Sequence, residues 1–203
     1  MAILLDGRVV AADAHGRLRF YEPDRNRLLA DLETSPRVQL LRLSPDGLRL
    51  ITIPSFPGNV APPLLWDLTR YRLIAQLEGH TGGVFSARFT TSGVVTVGSD
   101  GAARLWEAHT GRLLETYRSP SRFLADAVID PSRAMLIASG SDGFLWFWDL
   151  PTGRPLWKLQ AHRSHAIGLR LEGGALVTRS FAGEVSRWEI PYPDPGILTS
   201  RAK

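Results

Sequence analysis

His80, Ser99 and Asp100 are the residue types of a nucleophilic hydrolase, and His162 and His165 could be two ligands of a metal ion. A hydrolytic triad needs a base within hydrogen-bond reach of the nucleophile, an acid that orients the base, and donors for the oxyanion. Two imidazoles do not complete a tetrahedral site, and no third ligand is evident nearby. The chain has no cysteine, so a thiolate zinc site and a disulfide framework are both excluded. No phosphate-cradling glycine loop, no His-Glu-x-x-His segment and no calcium-loop pattern occurs. The sequence makes no positive case for an enzyme, and the expectation is a non-catalytic chain with no metal and no cofactor.

The basic residues suggest a second chemistry. Lysine occurs only at 158 and 203, so 22 of the 24 basic residues are arginine, for a net charge of +4. Arginine offers a planar donor fork suited to carboxylates and phosphates. These arginines are scattered along the chain, whereas a nucleic-acid face needs them clustered. A nucleic-acid-associated module that binds phosphate through scattered arginines is therefore the alternative reading and not the first.

The elements that must position these residues repeat. Tyr21, Trp66, Trp106, Trp148 and Trp188 are spaced by 45, 40, 42 and 40 residues, and an acid follows each one: Glu22, Asp67, Glu107, Asp149 and Glu189. A period near forty means that one supersecondary unit is copied down the chain. Within a copy, Ser99-Asp100-Gly101 and Ser141-Asp142-Gly143 each stand between two apolar runs, which marks a tight hairpin. The runs before them, 94–97 and 135–138, suit well-buried strands. The first strand of each copy carries apolar residues at Val38/Leu41/Leu43, Val84/Ala87/Phe89, Leu124/Ala127/Ile129 and Ala166/Leu169/Leu171. A step of three followed by a step of two predicts a β-bulge in each of these strands.

Four strands per copy, with Trp-acid closing the third, resemble the WD-repeat (tryptophan–aspartate) family of β-propellers. The resemblance rests on Gly79-His80, on Asp100 and Asp142 six residues before their tryptophans, and on Trp66-Asp67 and Trp148-Asp149; it covers residues 7–190. It implies an all-β, single-domain propeller of four-stranded antiparallel blades, about five in number: 2–33, 34–78, 79–119, 120–161 and 162–203. Propellers close with four to eight blades, so five form either a small ring or an arc of a larger one, and the stub at 2–5 tips the expectation toward the arc. An open arc has exposed edges, and self-association is expected of it.

The resemblance also assigns roles. His80, Asp100 and Trp106 match three members of a network in which a boundary histidine, a hydroxyl, a turn aspartate and the tryptophan hold a blade together. The hydroxyl is expected two before the aspartate, where Gly98 stands. His162 has a similar boundary place, but Ala182 occupies its aspartate position. Trp66, Trp148, Trp188 and Asp142 are structural in the same sense. Family members bind protein partners on the face formed by the loops between blades and the second-to-third-strand turns. Mapped onto this chain, that face presents Arg37, Phe85, Phe123, His165 and Phe181, although Phe85 and Phe123 could equally pack between blades. An insertion at 54–63 holds four prolines, which lower the cost of presenting Phe56 and Asn59; it either serves a partner or is merely tolerated. The expected function is a protein–protein interaction scaffold, with an unidentified protein or peptide as partner. No apolar stretch reaches the length of a membrane span, and Asp6 and Arg8 interrupt the first apolar run. A cytoplasmic setting is the corresponding expectation.

Overall fold

A computed structural model of the chain describes residues 2–4, 7–13, 15–34, 37–55 and 60–190. The forty-residue period becomes five antiparallel sheets, each formed by strands consecutive in the chain. The first blade holds β1 (Ala2–Ile3), β2 (Val9–Ala12), β3 (Arg17–Glu22) and β4 (Arg27–Glu33), with a short 3-10 turn at Pro23–Arg25. The second holds β5 (Val38–Leu43), β6 (Arg49–Pro54), β7 (Leu64–Asp67) and β8 (Arg72–Gln76). The third holds β9 (Val84–Thr90), β10 (Gly93–Gly98), β11 (Ala102–Trp106) and β12 (Leu113–Arg118). The fourth holds β13 (Leu124–Asp130), β14 (Met135–Gly140), β15 (Phe144–Asp149) and β16 (Pro155–Gln160). The fifth shows three strands among the described residues: β17 (Ala166–Glu172), β18 (Ala175–Ser180) and β19 (Val185–Glu189). The remainder of the expected fifth blade, 191–203, lies outside the described residues.

Four apolar layers join the blades face to face. Phe20, Leu18 and Val10 of the first meet Leu50, Trp66 and Leu68 of the second. Ile51, Ile53 and Leu65 of the second meet Trp106, Val94 and Ala87 of the third. Val95, Val97 and Leu105 of the third meet Trp148, Leu136 and Leu124 of the fourth. Val128, Ile137 and Phe147 of the fourth meet Leu176, Leu169 and Trp188 of the fifth. Each tryptophan thus faces the preceding blade, and each layer removes large apolar side chains from water, the main driving force for stacking. Tyr21 has the same place in the first blade and is exposed. No apolar layer joins the fifth blade to the first among the described residues, so the stack is an arc and not a closed ring. Around Tyr21, Arg17 and Arg19 pair with Asp31, and Arg19 also reaches Asp13.

First strands touch first strands, β1 on β5, β5 on β9, β9 on β13 and β13 on β17, so these line the axis. The predicted bulges are present in four of them. Pairing to the second strand skips Gln39, Phe85, Ala125 and Ile167. A bulge re-aims the side chain it carries, and Phe85 is where this matters. At the hairpin turns, Gly101 and Gly143 have φ of 67° and 78°, and an added Cβ would lie 2.5 Å from Ser121 O and 2.2 Å from His162 O respectively.

Candidate interaction surface

The residue just before each first strand is pinned by one backbone hydrogen bond. Ser55 N donates to Arg37 O at 2.8 Å, Ser99 N to Gly83 O at 2.9 Å, Ser141 N to Phe123 O at 3.1 Å and Phe181 N to His165 O at 2.8 Å. The same rim of four successive blades therefore presents Arg37, Gly83, Phe123 and His165. Gly83 has no side chain to offer, and the bulged Phe85 fills that place instead. Its ring meets Phe123 edge-on with centroids 5.5 Å apart at 84°. Phe123 meets His165 at 5.3 Å and 86°, and His165 meets Phe181 at 6.3 Å. Edge-to-face contacts of this kind are the preferred aromatic geometry. Phe85 and Phe123 are half-buried, and the row ends on Phe181, which is 77% exposed. The two readings of Phe85 and Phe123 thus meet in one arrangement: they pack across the blades and show their upper edges.

Beside Phe181 a depression of about 360 Å3 is lined by Ser141, Asp142, Arg163, Ser164 and His165. Ser164 Oγ is buried there without a hydrogen-bond partner among the described residues. Arg37 stands exposed at its equivalent place in the second blade. Phe56 and Asn59 lie outside the described residues.

Beneath the rim, His80, Asp100 and Trp106 share one hydrogen-bonded chain. Trp106 Nε1 donates to Thr96 Oγ1 at 2.8 Å, and Thr96 Oγ1 lies 2.8 Å from His80 Nε2. Because Thr96 already accepts from the indole, its own proton points to Nε2. That leaves Nδ1 protonated, to donate to Asp100 Oδ1 at 2.9 Å. Thr81 N at 3.1 Å, Ala102 N at 3.3 Å and Arg104 Nη1 at 2.8 Å also donate to the carboxylate. Burial alone would raise the Asp100 carboxyl; hydrogen bonding and charge from His80, the Thr81 amide and Arg104 outweigh it and hold it well below the ordinary range. Burial is the largest influence on His80 and lowers it, against a smaller opposing effect of Asp100. The hydroxyl is not near Gly98 but four residues before the aspartate. Thr96 escaped notice because a threonine in Val94–Val97 reads as an ordinary strand former. Ser99 takes no part in this chain of bonds.

The fifth blade repeats the chain with one change. Trp188 Nε1 donates to Thr178 Oγ1 at 3.0 Å, Thr178 Oγ1 lies 2.8 Å from His162 Nε2, and Glu184 Oε2 accepts from His162 Nδ1 at 3.3 Å. The carboxylate missing at Ala182 is supplied two residues later. His162 is thus turned into its blade and His165 onto the rim. In the fourth blade Ser121 donates to Asp142 Oδ2 at 2.6 Å and accepts from Trp146 Nε1 at 2.9 Å, while Trp148 is fully buried against Tyr117. In the second, Trp66 Nε1 donates to Thr52 Oγ1 at 3.1 Å.

Asp126, on the axial strand of the fourth blade, was not anticipated. Its Oδ1 accepts from Ser86 Oγ and Arg88 Nε of the third blade, both at 3.0 Å. Its Oδ2 accepts from Arg88 Nη2 at 2.5 Å and from the Leu169 amide of the fifth blade at 3.0 Å. An aspartate inside the apolar frame Leu124/Ala127/Ile129 was the available signal.

A family model described as WD domain, G-beta repeat matches residues 71–107, the stretch that holds His80, Asp100 and Trp106. The chain is 23% identical over 187 residues, 90% of its length, to WD repeat-containing protein 90 of Xenopus tropicalis. The chain carries a WD repeat at residues 71–107 and is similar to WD-repeat proteins over most of its length. It is also 25% identical over 125 residues, 61% of its length, to the DENN domain and WD repeat-containing protein SCD1 of Arabidopsis thaliana. It is 29% identical over 140 residues, again 61%, to a guanine nucleotide-binding protein subunit beta of Oryza sativa subsp. indica. The matches cover 10%, 10% and 37% of those relatives' own lengths. A crystal structure of the computationally designed Ika4 protein superposes with a TM-score of 0.67 at 20% identity, over 77% of this chain and 93% of that one, a likeness of fold. WD-repeat proteins generally act as non-catalytic scaffolds that hold protein partners. No helix among the described residues is long and apolar enough to cross a membrane.

Proposed function

We propose that this chain is a non-catalytic recognition module that holds a protein or peptide partner against the row Phe85–Phe123–His165–Phe181. The observation that carries this reading is the continuity of the row across three blades, ending on a phenylalanine that is 77% exposed. Aromatic side chains held rigidly on a rim make effective anchors, because little conformational freedom remains to be lost on binding. The depression beside Phe181, with the Ser164 hydroxyl on its wall, gives the anchor a polar neighbour. The buried acids Asp100, Asp126 and Asp130 each accept donors from their own chain, which leaves them to structure and not to acid–base work. The phosphate-binding alternative has less support, since Arg17, Arg19, Arg88, Arg104 and Arg133 are all drawn into ion pairs with the chain's own aspartates.

The test is crosslinking of partners to the intact chain, compared with Phe181→Ser. The substitution is expected to reduce partner capture at least tenfold while the melting temperature stays unchanged, because Phe181 buries little of its own surface. Equal recovery by the two proteins would remove the row from the binding site. Capture that collapses steeply as salt rises would favour phosphate instead. A cytoplasmic setting belongs to the same proposal, and imaging of a tagged chain checks it.

A further inference from the structure

In the third and fifth blades an imidazole ring stands against the threonine that holds the indole. Counting back three residues from the position before each first strand gives Thr34, His80, Pro120 and His162. Thr34 does not replace the ring: it is fully buried, and its hydroxyl donates to Gly16 O at 2.7 Å. In the fourth blade Trp146 reaches over to Ser121 instead. Leu64, two residues before its tryptophan as Trp146 is, has neither the length nor the donor to do so. The second blade therefore keeps its indole–threonine pair and has, beside it, a cavity of about 370 Å3 lined by Glu33, Thr34, Thr52, Leu64, Trp66 and Gln76.

We propose that this cavity receives an uncharged imidazole, the side chain of a histidine on a bound polypeptide. Thr52 Oγ1 accepts from Trp66 Nε1, so its own proton is free to point at a ring nitrogen, as that of Thr96 does toward His80. Glu33 supplies the carboxylate at the mouth, the part played by Asp100 in the third blade and Glu184 in the fifth. The apolar walls from Leu64 and Trp66 disfavour a charged ring, which would have to shed its hydration. Among the described residues Glu33 is the one titratable side chain lining the cavity, and Arg17 is an opposing charge that interacts with it. The inference does not depend on the aromatic row, and either can fail without the other.

The experiment titrates N-acetylhistidine methylamide into the full chain and follows the Trp66 indole N–H resonance. The expected result is a saturable displacement at pH 8 that weakens at least fivefold as the pH falls below about 6.5, where the probe takes up its proton. Thr34→His, which supplies the ring from within, should abolish the displacement while leaving Thr52 and Trp66 in place. Thr52→Val should abolish it as well, and Glu33→Gln should reduce the affinity severalfold without touching a buried group. No saturation, binding that strengthens at low pH, or displacement that survives both Thr34→His and Glu33→Gln would overturn the proposal.

Discussion

The third and fifth blades fasten an indole to a histidine through the same threonine but anchor that histidine to different carboxylates. Asp100 has a side chain 4% exposed and is joined by Arg104, which is 3% exposed; Glu184 is 56% exposed and reaches over from a turn. Trp106 is fully buried, and Trp188 is only partly so. Geometry alone makes the two networks look equivalent, yet their surroundings differ. A carboxylate removed from water is costly to leave unpaired, and its hydrogen bonds are correspondingly decisive; one that keeps its hydration is nearly dispensable. The third blade should therefore behave as the keystone of the array and the fifth as its compliant end.

The largest contrast is expected from truncating the two indoles. Trp106→Ala should cost about 3–5 kcal/mol in a denaturant titration, while Trp188→Ala should cost less than half as much. Equal losses would mean that the fifth blade is as tightly packed as the third. A smaller contrast is expected at the carboxylates. Asp100→Asn removes charge-assisted bonds from His80 and Arg104 and should cost about 1.5–3 kcal/mol. Glu184→Gln should stay within about 0.5 kcal/mol, as exposed substitutions generally do.

The smallest effect is in pH dependence. His80 is lowered by burial, so the unfolded chain takes up a proton below about 6.5 that the folded chain resists. Stability from this group is complete above that pH and is lost as the pH falls toward the folded value. The slope is at most about 1.4 kcal/mol per pH unit. Asp100 is also lowered, and its contribution is present above about 3.9 and lost further into acid. Denaturation curves between pH 5 and 8 should therefore flatten in His80→Gln; an unchanged slope would assign the titration to another group.

The repeat, the bulges and the tryptophan positions were legible in the sequence because they recur, and recurrence is visible without contacts. Thr96 and Glu184 were not, for two different reasons. Threonine inside a β-branched run looks like a strand former whether or not its hydroxyl is used, and Glu184 lies two residues off the position where the other copies keep their acid. Phe123, His165 and Phe181 could be selected by their place before or after a strand. That their rings touch could not, since the contact with Phe85 depends on how its bulge turns one side chain. The axial aspartate shows the opposite failure: Asp126 was plainly out of keeping with its apolar neighbours, but its partners lie some forty residues away on either side.

Asp126 has a mechanical consequence. One carboxylate gripping strands from three neighbouring blades makes those blades move as a single plate, while the two at the start of the chain are joined to the plate by packing and by an exposed contact between Arg49 Nη2 and His109 Nδ1 at 2.7 Å. The aromatic row lies wholly on the plate. Its ring-to-ring spacing is therefore fixed before any guest arrives, and the first two blades are left as the part able to swing.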